Sequence, residues 1–214
     1  MSQLTLFSTS NTDDIQMILL EKLYKHLYAK YEEPRGLVKE KYGDKVVFAH
    51  EITRCPRKNE FEKKFPWMAV AVRLRPAIMV GELVHEGLAK LFDPPRSVCK
   101  PAGDYVICGS ADAMINGYPV EIKFQRRAPE SPKDHHLDRI KVYMWLYDKE
   151  KGYLIYITPE NLSSYVITSK PSEAEIISMI ERKVYPRYLW ECRLCEYNGI
   201  CEFAKRSKRG EEEE

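Results

Sequence analysis

Apolar residues at Ile15, Leu19, Leu23 and Leu27 recur every fourth position, which puts them on one face of a helix from Asp13 to about Tyr31. Asp13 or Asp14 can cap its start, and the apolar face is expected to pack on the core. Lys45 to Ile52 reads as a strand leading into Cys55, followed by a short charged helix to about Phe65. Val80 to Phe92 is a second clear helix, with Val80, Leu83, Val84, Gly87, Leu88 and Leu91 as its stripe and His85 at the stripe's edge. Ser97 to Phe124 is rich in Val, Ile, Tyr and Cys and is broken at Ala102-Gly103-Asp104 and Asn116-Gly117, which predicts three strands. Beyond a Pro-bearing linker, His135 to Tyr147 reads as helix, Gly152 to Ile157 and Tyr165 to Thr168 as strands, and Ser172 to Val184 as helix. The order is mixed α/β without an internal repeat. The only low-complexity piece, Lys205 to Glu214, is expected to be a solvated tail.

A length of 214 residues with 44% hydrophobic content supports a true core, as one large domain or one domain with a small appendage. The net charge of +2 and pI near 8.1 exclude a field over the whole molecule that would collect a polyanion, so any such site is a local groove. Charged residues make up 31% while Gln and Asn are few, a balance like that of thermophile proteins. The first residues lack the basic start and apolar run of a secretory signal, and no stretch approaches the roughly 18 apolar residues of a membrane span. The expected location is the cytoplasm, without a membrane.

Asn116-Gly117 between two strand-like runs marks a two-residue type I′ turn, since both positions need positive φ. The register follows: Ile115 faces Tyr118, Met114 faces Pro119, Ala113 faces Val120, and Asp112 falls opposite Glu121. These last two form a non-hydrogen-bonded pair with Cα atoms roughly 4.5 Å apart. Like charges that close call for a cation, and carboxylate oxygens select Mg²⁺ or Mn²⁺. Lys123 shares the face of Glu121, while Ile122 points the other way. An Asp, Glu-x-Lys set suits phosphate chemistry: the metal polarises a phosphate and activates water, and the ammonium orients that water or stabilises phosphoryl charge. The bland alternative is a solvated hairpin with a surface salt bridge. His85 is either a packed boundary side chain or a metal ligand that suits Mn²⁺ better than Mg²⁺.

Cys192, Cys195 and Cys201 form a C-x2-C-x5-C cluster that lacks a fourth thiolate. Cys55, in a basic loop-like context, is the better partner, because Cys99 and Cys108 lie in apolar strand runs where a small buried thiol is the ordinary reading. Four thiolates serve zinc, an iron-sulfur cluster or two disulfides, and chemistry alone ranks zinc slightly ahead. Any of the three would clip the C-terminal segment to the N-terminal third.

Taken together, Cys55, the Gly81-Glu82-Leu83-Val84-His85 helix, Gly109-Ser110-Ala111-Asp112, Val120-Glu121-Ile122-Lys123 and the three late cysteines resemble the Cas-four family, the RecB-like nucleases associated with CRISPR systems. The match spans roughly residues 50 to 205. The resemblance implies a restriction-endonuclease-like mixed sheet core of the PD-(D/E)xK type, flanked by helices, with the N- and C-terminal segments joined at an iron-sulfur module. It implies three parts: an N-terminal helical segment with the first cluster cysteine (1–66), a nuclease core (67–184), and the cysteine cluster with a charged tail (185–214). His85, Asp112, Glu121 and the Ile122 carbonyl would hold Mg²⁺ or Mn²⁺, with Lys123 catalytic. Cys55, Cys192, Cys195 and Cys201 would bind [4Fe-4S], or [2Fe-2S], which reverses the preference for zinc. The family's Gln-x-x-x-Tyr pair stands here as Arg139 and Tyr143, and Arg139 in that place can hold a phosphate.

Arg126 and Arg127 directly follow the catalytic strand, and Arg54, Arg57 and Lys58 flank Cys55. With nearby Tyr and Trp they are expected to line a basic channel for a single strand. The implied activity is trimming of single-stranded DNA ends, 5′ to 3′, during capture of new CRISPR spacers, with the integrase subunits Cas-one and Cas-two as partners. The rival readings are a RecB-like recombination, replication or viral nuclease, and a non-catalytic iron-sulfur DNA-binding module.

Overall fold

Thr12–Tyr42 forms one long helix (α1) in the computed structural model, which describes residues 12–89, 91–92 and 95–205. The first eleven residues and nearly all of the charged tail lie outside these, as does the side chain of Leu27. The helix outruns its expected end at Tyr31, and of the expected apolar stripe Ile15 is 69% exposed, Leu19 56%, and Leu23 half-buried. Its main contacts among the described residues are with the helix Pro66–Arg73 and the chain just after its own end, and His26 Nε2 lies 3.1 Å from Glu86 Oε1.

The strand expected over Lys45 to Ile52 stops early, as Val46–Phe48 (β1). Glu51 turns back to accept the Phe48 N–H at 2.9 Å, which closes a helical turn, Ala49–Ile52 (α2). Pro56–Lys64 (α3), Pro66–Arg73 (α4) and Pro76–Ala89 (α5) each begin on a proline, where the missing N–H is no loss and φ is already set. The helix α4 is absent from the sequence expectation. On α5 the expected stripe is largely open, with Val80 and Leu83 exposed. Among its described residues, Leu88 and, just beyond the helix, Phe92 reach an apolar cluster.

Four strands follow rather than three, because the chain bends at Ser110–Asp112: Val98–Ala102 (β2), Tyr105–Gly109 (β3), Ala113–Ile115 (β4) and Tyr118–Phe124 (β5). Asp134–Leu146 (α6), Gly152–Ile157 (β6), Leu162–Ile167 (β7), Glu173–Glu181 (α7) and Glu191–Leu194 (α8) complete the order. Two mixed sheets result. In the first, β3 pairs parallel with β1 and antiparallel with β2; in the second the order is β4-β5-β6-β7, with β5 and β6 parallel.

The helix α6 joins the sheets, packing Ile140, Tyr143 and Met144 among Ala102 and Ile107 of the first and Ile167 of the second. Two glycines permit that closeness. A Cβ on Gly152 would lie 2.8 Å from Ile140 Cγ1, and one on Gly109 would lie 2.8 Å from Ala49 and 3.2 Å from the Tyr143 ring. A smaller cluster of Ala113, Val120 and Ile122 receives Leu88 and Phe92. Cys99 and Cys108 are not the separate buried thiols expected: they face each other across β2 and β3 and form a disulfide.

Candidate active site and cysteine cavity

The turn at Asn116 and Gly117 has φ of +51° and +77°, and the pairs Ile115–Tyr118, Met114–Pro119 and Ala113–Val120 follow in the expected register. Pro119 precedes the first β5–β6 pair, at Val120, so its missing N–H weakens neither ladder. The register then changes by one residue. Asp112 donates its N–H to the Val120 carbonyl at 3.1 Å, so Asp112 and Ala113 both face Val120 as in a β-bulge. Asp112 is therefore not a ladder partner of Glu121. Its carboxylate instead turns over the next strand, and Oδ2 accepts the Ile122 N–H at 2.7 Å.

Alternation along β5 sends Val120 and Ile122 into the apolar cluster under α5 and Glu121 and Lys123 to the opposite face, toward α6. Glu121 is 1% exposed, and burial followed by the Asp112 charge pushes its pKa up. Lys123 stands against it as an ion pair, yet neither Glu121 oxygen has a partner in hydrogen-bonding geometry. On Asp112 burial acts upward too, but His85, Lys123 and the Ile122 N–H outweigh it and hold the carboxyl below the usual range. His85 Nδ1 lies 3.4 Å from Asp112 Oδ1, and that contact raises the imidazole pKa against the effect of burial.

Among the described residues no three His, Cys, Asp or Glu side chains form a group around one ion. The donor chemistry nevertheless fits a divalent cation. His85 lies against Asp112, the Asp112 and Glu121 carboxylates act on one another, and the most buried carboxylate is met only by the Lys123 ammonium.

Arg139 and Tyr143 share one face of α6 above Glu121. Arg139 Nε donates to Thr53 Oγ1 at 2.7 Å, and its charge lowers the Glu121 pKa, opposing burial. Tyr143 is buried, and burial and then Glu121 raise its phenol pKa well above the ordinary value. Arg126 and Arg127 are exposed just past β5. The basic residues around Cys55 are ion-paired: Arg54 pairs with Glu62, Arg57 with Glu60 and Glu202, and Lys58 with Glu196 at 2.9 Å. Those ion pairs fasten α3 to the residues just before it and to the C-terminal segment.

Cys55, Cys192, Cys195 and Cys201 line one small cavity, and none of them is disulfide-bonded. Burial raises the Cys195 thiol to about 11 and also raises Cys55, against peptide N–H groups of Lys58 and Arg57 that favour the Cys55 thiolate. Glu191 accepts the N–H of Cys55 at 2.8 Å and of Tyr188 at 2.9 Å, while Phe61 stacks on Tyr197. These contacts hold the two distant segments together whether or not the thiols carry a group. Sequence reading missed Thr53, Glu191 and a ring cluster of His135, Tyr188 and Trp190. For Tyr188 and Trp190 the sequence signal is the aromatic run just before Cys192.

No family model matches the chain. The chain is 31% identical over 194 residues to CRISPR-associated exonuclease Cas4 of Saccharolobus solfataricus, covering 82% of this chain and 95% of the relative. It is also similar to the crystal structure of SSO0001, with a TM-score of 0.73 and 28% identity over 90% of this chain and 98% of that one. The mixed sheets flanked by helices are thus the restriction-endonuclease-like architecture expected from the motifs. No helix of the described residues is long and apolar enough to cross a membrane. With that identity across nearly the whole relative, the chain belongs to the Cas4, or Cas-four, family of CRISPR-associated exonucleases.

Proposed function

We propose that the chain is a metal-dependent exodeoxyribonuclease that trims single-stranded DNA ends, 5′ to 3′, during capture of new CRISPR spacers, alongside Cas-one and Cas-two. The observation that carries the chemistry is Glu121: a fully buried carboxylate held only by the Lys123 ion pair and close enough to Asp112 for that second charge to raise its pKa. His85, Asp112, Glu121 and the Ile122 carbonyl would hold Mg²⁺ or Mn²⁺. A bound ion of this kind polarises the scissile phosphate and lowers the pKa of attacking water.

The protein side chains set the rest. The Ile122 N–H fixes Asp112, and the apolar packing of Ile122 fixes the strand on which Glu121 and Lys123 project. Lys123 is partly exposed, so its ammonium can leave Glu121 for a phosphate oxygen or for the water. Arg139, held by Thr53, offers a second cation to the phosphate. Tyr143, neutral at any ordinary pH, supports the site by packing and by its hydroxyl. Arg126 and Arg127 meet the backbone at the mouth. Cys55, Cys192, Cys195 and Cys201 hold an iron-sulfur cluster, [4Fe-4S] or with the same ligands [2Fe-2S], supported by their common cavity and by the N–H groups that favour the Cys55 thiolate.

The test is digestion of single strands labelled at either end, with Mn²⁺, with Mg²⁺ and with neither. Early release of the 5′ label, dependent on the ion, is the expected result. Intact strands in the presence of both ions would overturn the reading.

A further inference from the structure

Beyond the end of the catalytic strand lies an open groove of about 1030 Å³ that the chemistry above does not use. Gln125 lines it, and Gln125 follows Glu121 and Lys123 at two-residue steps, so the groove continues along the catalytic face. Its far wall is aromatic. The His135 and Trp190 rings are 4.6 Å apart between centroids, and Tyr188 lies 6.2 Å from Trp190 and within 14° of parallel to it. We propose that His135, Tyr188 and Trp190 form a base-stacking subsite for the nucleobases of a single DNA strand whose backbone enters the catalytic centre. This rests on the nuclease reading and deepens it.

Three features favour that occupant. The wall is preset: the Tyr188 hydroxyl bonds Asp138 at 2.5 Å, and Glu191 ties the Tyr188 N–H and the Cys55 N–H together, so the rings are held by the cysteine module. His135 carries no charge at neutral pH, because burial and then Lys133 lower its pKa to about 4. It therefore presents a flat neutral ring rather than a phosphate-binding cation. Trp190 is 42% exposed, a large apolar face left open to solvent, and every base has a π-face that it can meet. Lys133 and Arg193 line the groove on the phosphate side of the balance, and Glu130 and Asp134 offset them. Charge alone thus does not retain a strand there, and the rings must supply the grip.

The test uses the full-length protein with its cluster, without added divalent ion. It compares affinity for a thymidine oligonucleotide and for the same strand made abasic near its 5′ end. Wild type is expected to favour the base-bearing strand by about tenfold, Trp190→Leu to lose that preference, and Trp190→Phe to keep most of it. The ratio isolates stacking, since a folding defect weakens both strands alike, and His135→Leu gives a second reading on a different element. Equal affinities in wild type, or an unchanged ratio in both leucine variants, would overturn the subsite. Cleavage by the same preparations with Mn²⁺ reports separately on the nuclease reading. Cleavage without discrimination removes only the groove, and discrimination without cleavage removes only the nuclease.

Discussion

Replacing Glu121 with Gln should make the metal-free protein more stable while removing its response to divalent ions. Glu121 is 1% exposed, and burial and then Asp112 raise its pKa, so between the ordinary glutamate value and the raised one the folded state binds more proton than the unfolded chain. The sign follows: stability is lost as pH rises from the ordinary glutamate value through the raised folded one, and is level above that. Each unit of such a shift is worth about 1.4 kcal/mol. Gln is isosteric and uncharged, so it removes this penalty and its pH dependence. Lys123 loses its partner, but it is 23% exposed and stays hydrated, which limits that cost. A net gain of about 1 kcal/mol raises Tm by about 2–4 °C for a chain of this size. Mn²⁺ at about a hundred times its Kd should in turn stabilise wild type by about 2.7 kcal/mol and leave Glu121→Gln nearly unmoved. Calorimetry of both proteins with and without Mn²⁺, from pH 5 to 8, reads all of this. A variant that melts below wild type without metal would show that Glu121 is not a buried charge penalty, and one that keeps the full Mn²⁺ shift would show that it is not a metal ligand.

Further outcomes follow from other contacts. Gly152→Ala forces a Cβ within 2.8 Å of Ile140 and should cost about 1–3 kcal/mol, read as a lower denaturation midpoint. Arg139→Ala removes a cation that lowers the Glu121 pKa, so the acid limb of the pH–rate profile should move to higher pH, with KM rising. Cys55→Ser should lose absorbance at about 400 nm and iron on analysis. It should also destabilise the chain by about 4–5 kcal/mol if the cluster acts as a cross-link closing so long a loop.

The hairpin was readable because an Asn-Gly turn fixes register residue by residue, and Glu121, Lys123 and their face follow from alternation alone. The bulge at Asp112 was not: one extra residue in a strand leaves no mark in composition, yet it turns Asp112 from a cross-strand neighbour into a carboxylate capping the Ile122 N–H. Helix α1 shows the opposite failure. Its apolar period is real, but period reports only which residues share a face, not whether another element covers it. The late cysteines were legible by spacing, and Cys55 by elimination. The disulfide between Cys99 and Cys108 needed the β2–β3 register, which depends on the turn at Gly103. The ion pairs of Arg57 with Glu202 and of Lys58 with Glu196 were not legible, because those acidic partners lie far along the chain.

If the hairpin of Asp112, Glu121 and Lys123 cuts DNA, single-turnover cleavage of an end-labelled single strand with Mn²⁺ must depend on the Lys123 ammonium, which Lys123→Met removes. Met keeps the length and apolar stem of Lys and removes only the ammonium. The expected rate is lower by about 10²–10³, with the absorbance spectrum and strand affinity nearly unchanged. A rate within about threefold of wild type would contradict it, being worth less than about 1 kcal/mol of transition-state stabilisation.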